Sequence, residues 1–490
     1  MNPTAALAAS VVLVPAFGAL VVRYTRSENP NRYWLVSAVS LGVTTVAATT
    51  LAVSLIVDGP TALQLGWPRG PAVAFRLDAL SVTIGLLDAV LTLGILAYTR
   101  TAGPFTRRFY VAFLLFTAAV FGIVLIGDLL GTYAFVLVLI WATGRLIESG
   151  EKSGAAATAR RYRLTAASGA TVYLSGVAVA GFIGGSTDVA RLASRLETAG
   201  HTDPLVVTSF VLMTVGLALL VALVPLHGWL VETHARSVDP VSALVSGVLP
   251  AAAVYAFLRV LFDVFTVEFL AANPAITTGI IYGAVVSLLV GNLLAYGQRD
   301  IKGMLAYSTI SQFGLVVAGL LVATEMAVFG SVVQLFGHGI VKGAFCLVAG
   351  IIAIRFDART IDEFDGLARR APFVSAAFAG LGIAMIGLPP TVNFVGKWYI
   401  AVGALDEGLW IVAGFVVVST LLTLGYVVPF IDRIYFGSFD GTDRGAETIT
   451  YSMVATVVLA TLIAFAIGLA SATFETLLRE AIEHLIAVPR

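Results

Sequence analysis

The chain is a succession of apolar stretches, each about twenty residues long and followed by a short polar loop. A helix of roughly 20 apolar residues spans the hydrocarbon core of a bilayer, which is about 30 Å thick. Since 59% of the residues are hydrophobic and only 12% are charged, an ordinary soluble domain is excluded. The pattern predicts an all-α polytopic membrane protein with about fourteen transmembrane helices. The predicted spans are 4–22, 34–57, 77–99, 109–126, 129–147, 164–185, 205–230, 240–262, 274–297, 304–323, 328–354, 373–403, 409–435 and 452–474, and residues 186–204 are predicted to form a short amphipathic surface helix.

Basic residues are shared unevenly between the two sets of alternate loops. About two thirds of the 29 Lys and Arg residues lie in one set, which includes Lys152, whereas the other set is sparse and includes Arg69 and Arg490. Cytoplasmic loops carry the excess of positive charge in membrane proteins, so the bias predicts a multi-pass cell-membrane protein with both termini outside. Basic and acidic residues both number 29, and this balance argues against a nucleic-acid partner.

Two long apolar stretches are interrupted by Gly and Pro residues in comparable positions. The stretch 205–230 is broken at 224–229, and the stretch 373–403 is broken at 387–390. Each is the fourth helix of a five-helix block, and paired interruptions of this kind indicate internal repeats with a transport site at the breaks. An odd number of helices per block makes the repeats inverted. The predicted division is N-terminal helices at 1–108, a first repeat at 109–262, a second repeat at 274–435, and a C-terminal helix and tail at 436–490.

Lys397 is the most informative ionisable residue. It stands inside an apolar stretch, close to the helix-breaking Gly387, Pro389 and Pro390. A charge at mid-membrane costs roughly 2.5–3.5 kcal/mol on insertion scales, so it normally pairs, faces water or serves a pathway. Irregular backbone at that depth is tolerated where it lines a cavity or is buried in protein. A buried lysine beside a broken helix indicates an ion route.

A second polar stripe lies on the predicted helix 328–354. Gln334, His338 and Lys342 are four residues apart and therefore share one helix face. A neutral imidazole can accept a proton at one nitrogen and donate one at the other, and a desolvated lysine releases its proton more readily. The stripe suits a proton path; the alternative is a packed polar face whose hydrogen bonds are all satisfied.

Further polar residues have less specific positions. Lys302 stands at a helix start, where its ammonium can reach the membrane surface or continue the polar line. His227 and His234 flank the break at 224–229, where a histidine serves either structure or the proton path. Other charged residues are expected to have structural roles: Asp78 and Asp128 as helix caps or water-facing anchors, and Arg259 in an ion pair with Asp263 and Glu268.

Signals for enzymatic chemistry are missing from the sequence pattern. It holds no Cys/His metal spacing, no Gly-rich phosphate loop and no nucleophile–base pair, so we expect neither a cofactor nor catalysis by this chain alone. The single cysteine, Cys346, lies in an apolar run and is expected to be part of the core.

Seven stretches in the core resemble the antiporter-like subunits shared by Mrp-type multisubunit cation/proton antiporters and respiratory complex I. They occur in the same order along the chain as in that family, and their sequences are most similar to those of the D-type subunit of Mrp antiporters. The stretches are Pro225–Leu230, Pro240–Gly247, Val254–Val260, Asp300–Gln312, His338–Lys342, Gly366–Pro372 and Gly387–Lys397.

The resemblance implies fourteen helices, two inverted five-helix repeats and a hydrated axis of lysines and histidines. Lys397, Lys342, His338 and Lys302 match positions of the family's proton path. It also implies partners: the other membrane subunits of an antiporter complex, H⁺ and Na⁺, and the lipid bilayer.

The first half departs from the family pattern. A family glutamate in the fifth helix falls at Leu137, a lysine before the first break falls at Leu220, and the lysine of the next helix falls at Ala251. A Glu–Lys pair can change the proton affinity of its lysine when the pair separates. Without these groups, residues 109–262 hold no evident ionisable centre at mid-membrane, and His227 is the nearest polar group that remains.

Several functions stay open at this point. The chain can be a transport subunit that moves protons through its second repeat, or a degenerate paralogue that scaffolds its partners and conducts nothing. It can also be a proton-translocating subunit of a complex I-like assembly or of an inorganic-carbon uptake complex. The retained Lys397, Lys342 and His338 favour conduction, since an idle scaffold gains stability by losing buried charges.

Overall fold

The computed structural model describes residues 3–26, 29–58, 61–66, 72–150 and 153–486. Arg69, Lys152 and Arg490, which contribute to the charge bias, lie outside these residues. The first half of the described chain contains α1 (Pro3–Tyr24), α2 (Pro30–Asp58), β1 (Thr61–Gly66), β2 (Ala72–Leu77), α3 (Ala79–Ala102), α4 (Arg107–Leu125), α5 (Leu129–Glu148), α6 (Ala155–Gly184), α7 (Val189–Ala199), α8 (Pro204–Leu220), α9 (Gly228–Arg236), α10 (Asp239–Gly247), α11 (Leu249–Arg259), a π-helical turn (Val260–Phe265) and α12 (Thr266–Ala272).

The second half begins with a long helix and ends with one that lies on the bundle. It contains α13 (Pro274–Tyr296), α14 (Ile301–Val322), α15 (Glu325–Phe356), 3₁₀ turns at Ile361–Phe364 and Leu367–Arg369, α16 (Pro372–Ile386), α17 (Val392–Asp406), α18 (Trp410–Phe436), a 3₁₀ turn at Ala446–Thr448, α19 (Tyr451–Leu469) and α20 (Ser471–Ile486).

The described chain has twelve helical segments that are long and apolar enough to cross a membrane. Two shorter apolar helices, α8 and α16, are each followed after a break by a further helix, α9 and α17. Counting each broken pair as one crossing gives fourteen, as predicted, and the all-α membrane fold is confirmed. The breaks occupy residues 221–227 and 387–391, close to the predicted positions. Each contains a cis peptide bond, Val224–Pro225 and Pro389–Pro390.

Some elements differ from the sequence prediction. The span predicted at 240–262 runs from Asp239 to Ala272, and it is divided at Val248 because Pro250 has no N–H to continue the hydrogen-bond ladder. The amphipathic helix expected within 186–204 is present as α7. The hairpin of β1 and β2 and the terminal helix α20 were not predicted; α20 has an apolar side that contacts α3 and α15.

Two equivalent caps relate the blocks α4–α12 and α13–α18. Asp128 precedes α5, accepts a hydrogen bond of 2.7 Å from Gly131 N and forms a backbone bridge with Asp188 after α6. Asp300 precedes α14, accepts one of 2.9 Å from Gly303 N and forms a bridge with Thr360 after α15. Asp128 lies at the end of α4 remote from Arg107, whereas Asp300 lies beside the cavity that Arg107 lines. The two caps are therefore on opposite faces, which is the arrangement of inverted repeats.

The expected roles of Asp78, Asp128 and Arg259 are largely confirmed. Both aspartates cap helices, and Arg259 Nη1 lies 3.0 Å from Asp263 Oδ2. The prediction was wrong for Glu268, which accepts a hydrogen bond from Thr266 instead. The second carboxylate on Arg259 is that of Asp78, 2.6 Å away, because the first turn of α3 packs beside the end of α11.

Candidate functional site

Helix α15 occupies the centre of the bundle and is buried along almost all of its length. Its 32 residues extend about 48 Å at 1.5 Å per residue, more than the thickness of the hydrocarbon core. It contacts α10, α14, α16 and α17, so its polar side chains lie beside both halves of the second broken helix. The stripe of Gln334, His338 and Lys342 is thus inside the protein and away from lipid.

Lys342 is held by neutral oxygen atoms of α14. Its side chain is 1% exposed, and its ammonium donates to the carbonyl of Leu305, at 3.2 Å, and to the hydroxyl of Ser308. No carboxylate lies within 4 Å of this ammonium in the described part of the chain. A carbonyl and a hydroxyl can solvate an ammonium without fixing its charge, which leaves the proton exchangeable.

His338 lies one turn before Lys342. Its Nε2 is 3.2 Å from the carbonyl oxygen of Ser246 in α10, and its ring contacts that of Phe313 with 4.5 Å between centroids. Its Nδ1 is buried and has no hydrogen-bond partner among the described residues. One turn further, Gln334 donates to Gln312 at 2.7 Å, so the polar line continues towards α14. The polar stripe of α15 is therefore in direct contact with polar groups of α14.

Lys302 does not extend freely to the membrane surface. Its ammonium lies 2.6 Å from Asp239 Oδ1 and donates to the carbonyl of Ser237 at 2.8 Å. This ion pair joins the first turn of α14 to the first turn of α10. Both residues line an open cavity of about 1260 Å³. The arginines of the same cavity are Arg26, Arg107, Arg108, Arg145, Arg236 and Arg359, so this face of the protein is strongly basic.

Lys397 sits at the second helix break. Its ammonium donates to the carbonyl of Ile386, the last residue of α16, at 2.8 Å, and lies 3.4 Å from the hydroxyl of Thr420 in α18. The C-terminal end of a helix has unsatisfied carbonyls and partial negative charge, so an ammonium is favourable there. Gly387 makes the approach possible, because its φ of +80° ends α16 and a Cβ on it would lie 3.0 Å from Lys397 Cδ.

The two histidines at the first break have different surroundings. His234, in α9, is fully buried, both of its ring nitrogens are without partners among the described residues, and the charges of Lys302 and Lys342 both act on it. His227 lies apart at the start of α9, half-buried, with 6.4 Å between its ring centroid and that of Tyr307. The charges of both lysines thus reach His234, which no sequence pattern distinguished from His227.

A buried polar cluster on α13 and α18 was missed. Asn292 donates to Ser419 at 2.8 Å and accepts from Tyr426 at 3.1 Å and from Thr423 at 3.3 Å. The Tyr426 hydroxyl also lies near Ser308, whose hydroxyl accepts from Lys342. The spacing of Ser419, Thr423 and Tyr426 along one face of an apolar helix was the available signal. The cluster brings hydroxyl groups to the region between Lys342 and Thr420, the neighbour of Lys397.

The first half has apolar or neutral groups where the second has charges. Leu137 is 41% exposed on the surface of α5, while Leu220 and Ala251 are buried. At the end of α8, Trp229 Nε1 donates to the carbonyl of Leu219 at 3.0 Å, so a neutral indole makes the contact that Lys397 makes at α16. Among the described residues, no three His, Cys, Asp or Glu side chains are grouped so as to hold a metal ion, and Cys346 is buried with a free thiol.

Comparisons with known proteins agree with this geometry. A family profile described as "NADH:quinone oxidoreductase/Mrp antiporter, TM" matches residues 125–423. The chain is 33% identical to the N-type subunit of the NADH-quinone oxidoreductase of Desulforudis audaxviator, over 91% of this chain and 89% of that protein. It is 25% identical to the D-type subunit of the Na(+)/H(+) antiporter of Bacillus subtilis, over 88% of this chain and 87% of that protein.

Solved structures give the same fold. A chain of the Mrp complex from a Dietzia species matches with a TM-score of 0.90 at 24% identity, covering 99% of this chain and 98% of that one. A chain of respiratory complex I from Thermus thermophilus matches with a TM-score of 0.85 at 22% identity, covering 98% and 100%. The family match covers more than half of the chain and includes the buried axis and the broken helices. The chain therefore belongs to the family of membrane subunits shared by NADH:quinone oxidoreductases and Mrp antiporters.

Proposed function

We propose that this chain is a proton-conducting membrane subunit of a multisubunit Na⁺/proton antiporter, and that the conducting groups lie in its second repeat. The observation that carries the proposal is the setting of Lys342 and Lys397. Both are buried, and both are bound by carbonyl and hydroxyl oxygens rather than by carboxylates in the described chain. A buried charge without a counter-ion is costly, so two of them in one bundle call for a function beyond packing.

The proposed path runs from the basic face to the second helix break. Protons pass from the cavity to Lys302, then by way of His234 and His338 to Lys342. The hydroxyl groups of Ser308 and Tyr426 continue the path towards α18, where Thr420 lies beside Lys397. His227 is kept as a secondary member, because it lies at the first break without contact to these lysines in the described structure.

The first repeat is proposed to be silent in conduction. Its family positions Leu137, Leu220 and Ala251 carry no ionisable group, and Trp229 closes its break with a neutral donor. The basic cavity face is proposed to be cytoplasmic, which puts both termini outside. The division at 109–262 and 274–435 is kept as a proposal, with the helices themselves extending to Arg107 and Ala272 in the first block.

A second candidate is proton translocation in a complex I-like assembly. It is favoured by the 33% identity to a subunit of an NADH-quinone oxidoreductase, which exceeds the 25% identity to the Na(+)/H(+) antiporter subunit. In that case the same lysine axis would move protons, and electron transfer by partner subunits would drive it.

Ion exchange in inverted membrane vesicles separates these functions. Vesicles that contain the assembled complex are given an imposed pH gradient without an electron donor, and the dissipation caused by Na⁺ is compared with that caused by choline. A Na⁺-specific response that Lys342→Met abolishes and Arg299→Gln keeps supports antiport; Arg299 is an exposed control. Proton movement that requires an electron donor and ignores Na⁺ supports the second candidate. A normal response in Lys342→Met would make the chain a scaffold.

A further inference from the structure

The ion pair of Asp239 and Lys302 lies at the boundary between the cavity and the buried axis. The Asp239 side chain is 17% exposed, the Lys302 side chain, whose ammonium lies 2.6 Å from it, is 7% exposed, and both residues line the cavity. A cavity of about 1260 Å³ holds tens of water molecules, since one water needs roughly 30 Å³. Asp239 is thus the more exposed ionisable group of the pair.

The charges around the cavity set Asp239 apart. Six arginines line it, and the carboxylates among its lining residues are those of Glu148 and Asp239. Glu148 forms ion pairs with Arg145 and Arg163 and with no residue of the buried axis in the described structure. Asp239 instead binds Lys302, whose charge acts on His234. Of the two acids, only Asp239 connects the cavity to the axis.

On the inner side, His234 is a buried imidazole that can hold a proton only when a neighbouring lysine is neutral, because the charges of Lys302 and Lys342 both oppose its protonation. Its two ring nitrogens are unpartnered in the described structure, and it lies within electrostatic reach of both Lys302 and Lys342. A lysine that loses its counter-ion releases its proton more readily. Opening the Asp239–Lys302 pair would therefore direct the proton of Lys302 inward.

We propose that Asp239 is the proton-exchange residue at the inner mouth of the path and the switchable counter-ion of Lys302. Once released from Asp239, the Lys302 side chain moves towards His234 and its ammonium gives a proton to an imidazole nitrogen, which leaves an amine and an imidazolium. Asp239, protonated from cavity water, returns a proton to that amine, and the carboxylate and ammonium pair again. The cavity has then supplied one proton, and the axis carries one extra positive charge, on His234, until that proton moves on. The inference rests on the proposed proton path and adds to it a residue that its lysines and histidines do not include.

Water access is tested without any transport. In a Cys346→Ser background, Asp239→Cys should react with a membrane-impermeant maleimide applied from the cavity side. Leu244→Cys, fully buried on the same helix, is the matched control and should stay unlabelled. Failure of Asp239→Cys to react in an assembled complex would contradict the proposal.

The proton role is tested by exchange in inverted vesicles. Asp239→Asn should lower the rate at least tenfold, while Glu148→Gln, in the same cavity, should keep it. The exchanged pair Asp239→Lys with Lys302→Asp should restore assembly but not exchange, because the acid now occupies the less exposed of the two positions. Recovery of exchange by the swapped pair would mean that Asp239 is only a structural counter-ion. If the complex with Asp239→Asn does not assemble, exchange by the complex with the swapped pair alone tests the role of Asp239.

The failure of this inference differs from the failure of the proposed function. A complex with Lys397→Ala that exchanges normally removes the proton path as a whole. A complex in which Lys397→Ala is inactive but Asp239→Asn exchanges at the wild-type rate removes only the role of Asp239.

Discussion

The ammonium of Lys397 lies 2.8 Å from the carbonyl oxygen of Ile386, so a charged side chain closes the end of the half-helix α16. The first repeat solves the same problem with a neutral group, because Trp229 donates to Leu219 at the end of α8. At both breaks a side chain thus donates to a carbonyl at the end of the first half-helix, but only at the second break can the donating group lose a proton. This difference is the structural basis for assigning conduction to the second repeat.

Gly387→Ala tests the approach of Lys397 to α16. The φ of +80° costs a residue with a side chain about 1–2 kcal/mol, and the new Cβ would lie 3.0 Å from Lys397 Cδ. We expect a lower thermal unfolding temperature of the purified complex and slower exchange. Gly283→Ala is the matched control, since a Cβ there meets nothing within 4 Å, and it should behave like the wild type. Equal unfolding temperatures for the two variants would contradict the assigned geometry.

Restoring the family's charges tests whether the first repeat is closed to water. Leu137→Glu and Leu220→Lys together should destabilise the protein, because Leu220 is 6% exposed and a charge at mid-membrane costs roughly 2.5–3.5 kcal/mol. The double variant Leu137→Met with Leu220→Met controls for packing, and thermal unfolding in detergent measures the difference. A charged variant as stable as this control, with faster exchange, would show that water already reaches the first repeat.

The pair of Arg355 and Asp443 predicts a pH-dependent stability of the loop after α18. Hydrogen bonds from Arg355, at 3.1 and 3.3 Å, hold the pKa of the Asp443 carboxyl below its usual value despite partial burial. Because this pKa is lower in the folded protein than in the unfolded chain, where it is near 3.9, the ion pair stabilises the protein at pH values above that. This stability is lost as the pH falls through the folded-state pKa. At pH 5–8, Asp443→Asn should therefore lower the unfolding temperature and reduce the free energy of unfolding by about 1.5 kcal/mol. At lower pH the variant should match the wild type.

The control for this loop is Asp357→Asn. The pair of Asp357 and Arg444 is exposed, with side chains 61% and 49% accessible, and exposed pairs contribute little. We expect no change in unfolding temperature at any pH. An Asp443→Asn variant that differs from the wild type by the same amount below pH 4 would contradict the assignment to this carboxyl.

Much of the fold follows from the sequence, because the membrane imposes length and hydrophobicity on every span. The fourteen crossings, both breaks and the caps at Asp78 and Asp128 were predictable from apolar runs, Gly/Pro positions and N-cap residue types. The division at Val248 and the helix α20 were not. A short break inside a long apolar run leaves hydrophobicity unchanged, and α20 depends on tertiary contact with α3 and α15.

The candidate site was predictable only where a charge interrupts an apolar run. Lys397, Lys342, His338 and Lys302 stood out in this way, and the structure buries all four. The partnership of Lys302 with Asp239 was not predictable, since the two residues are distant in sequence and meet through packing of α10 on the bundle. Hydroxyl side chains such as Thr423 are common in membrane helices, so their clustering appears only in three dimensions.

The most direct measurement is Na⁺-dependent proton exchange in inverted vesicles that contain the complex with wild-type or Lys397→Ala chain. Loss of exchange in a complex that still assembles is the predicted result, because the ammonium at the end of α16 is the last ionisable group of the path. Exchange at the wild-type rate in the assembled Lys397→Ala complex would contradict conduction through the second repeat and leave transport to the partner subunits.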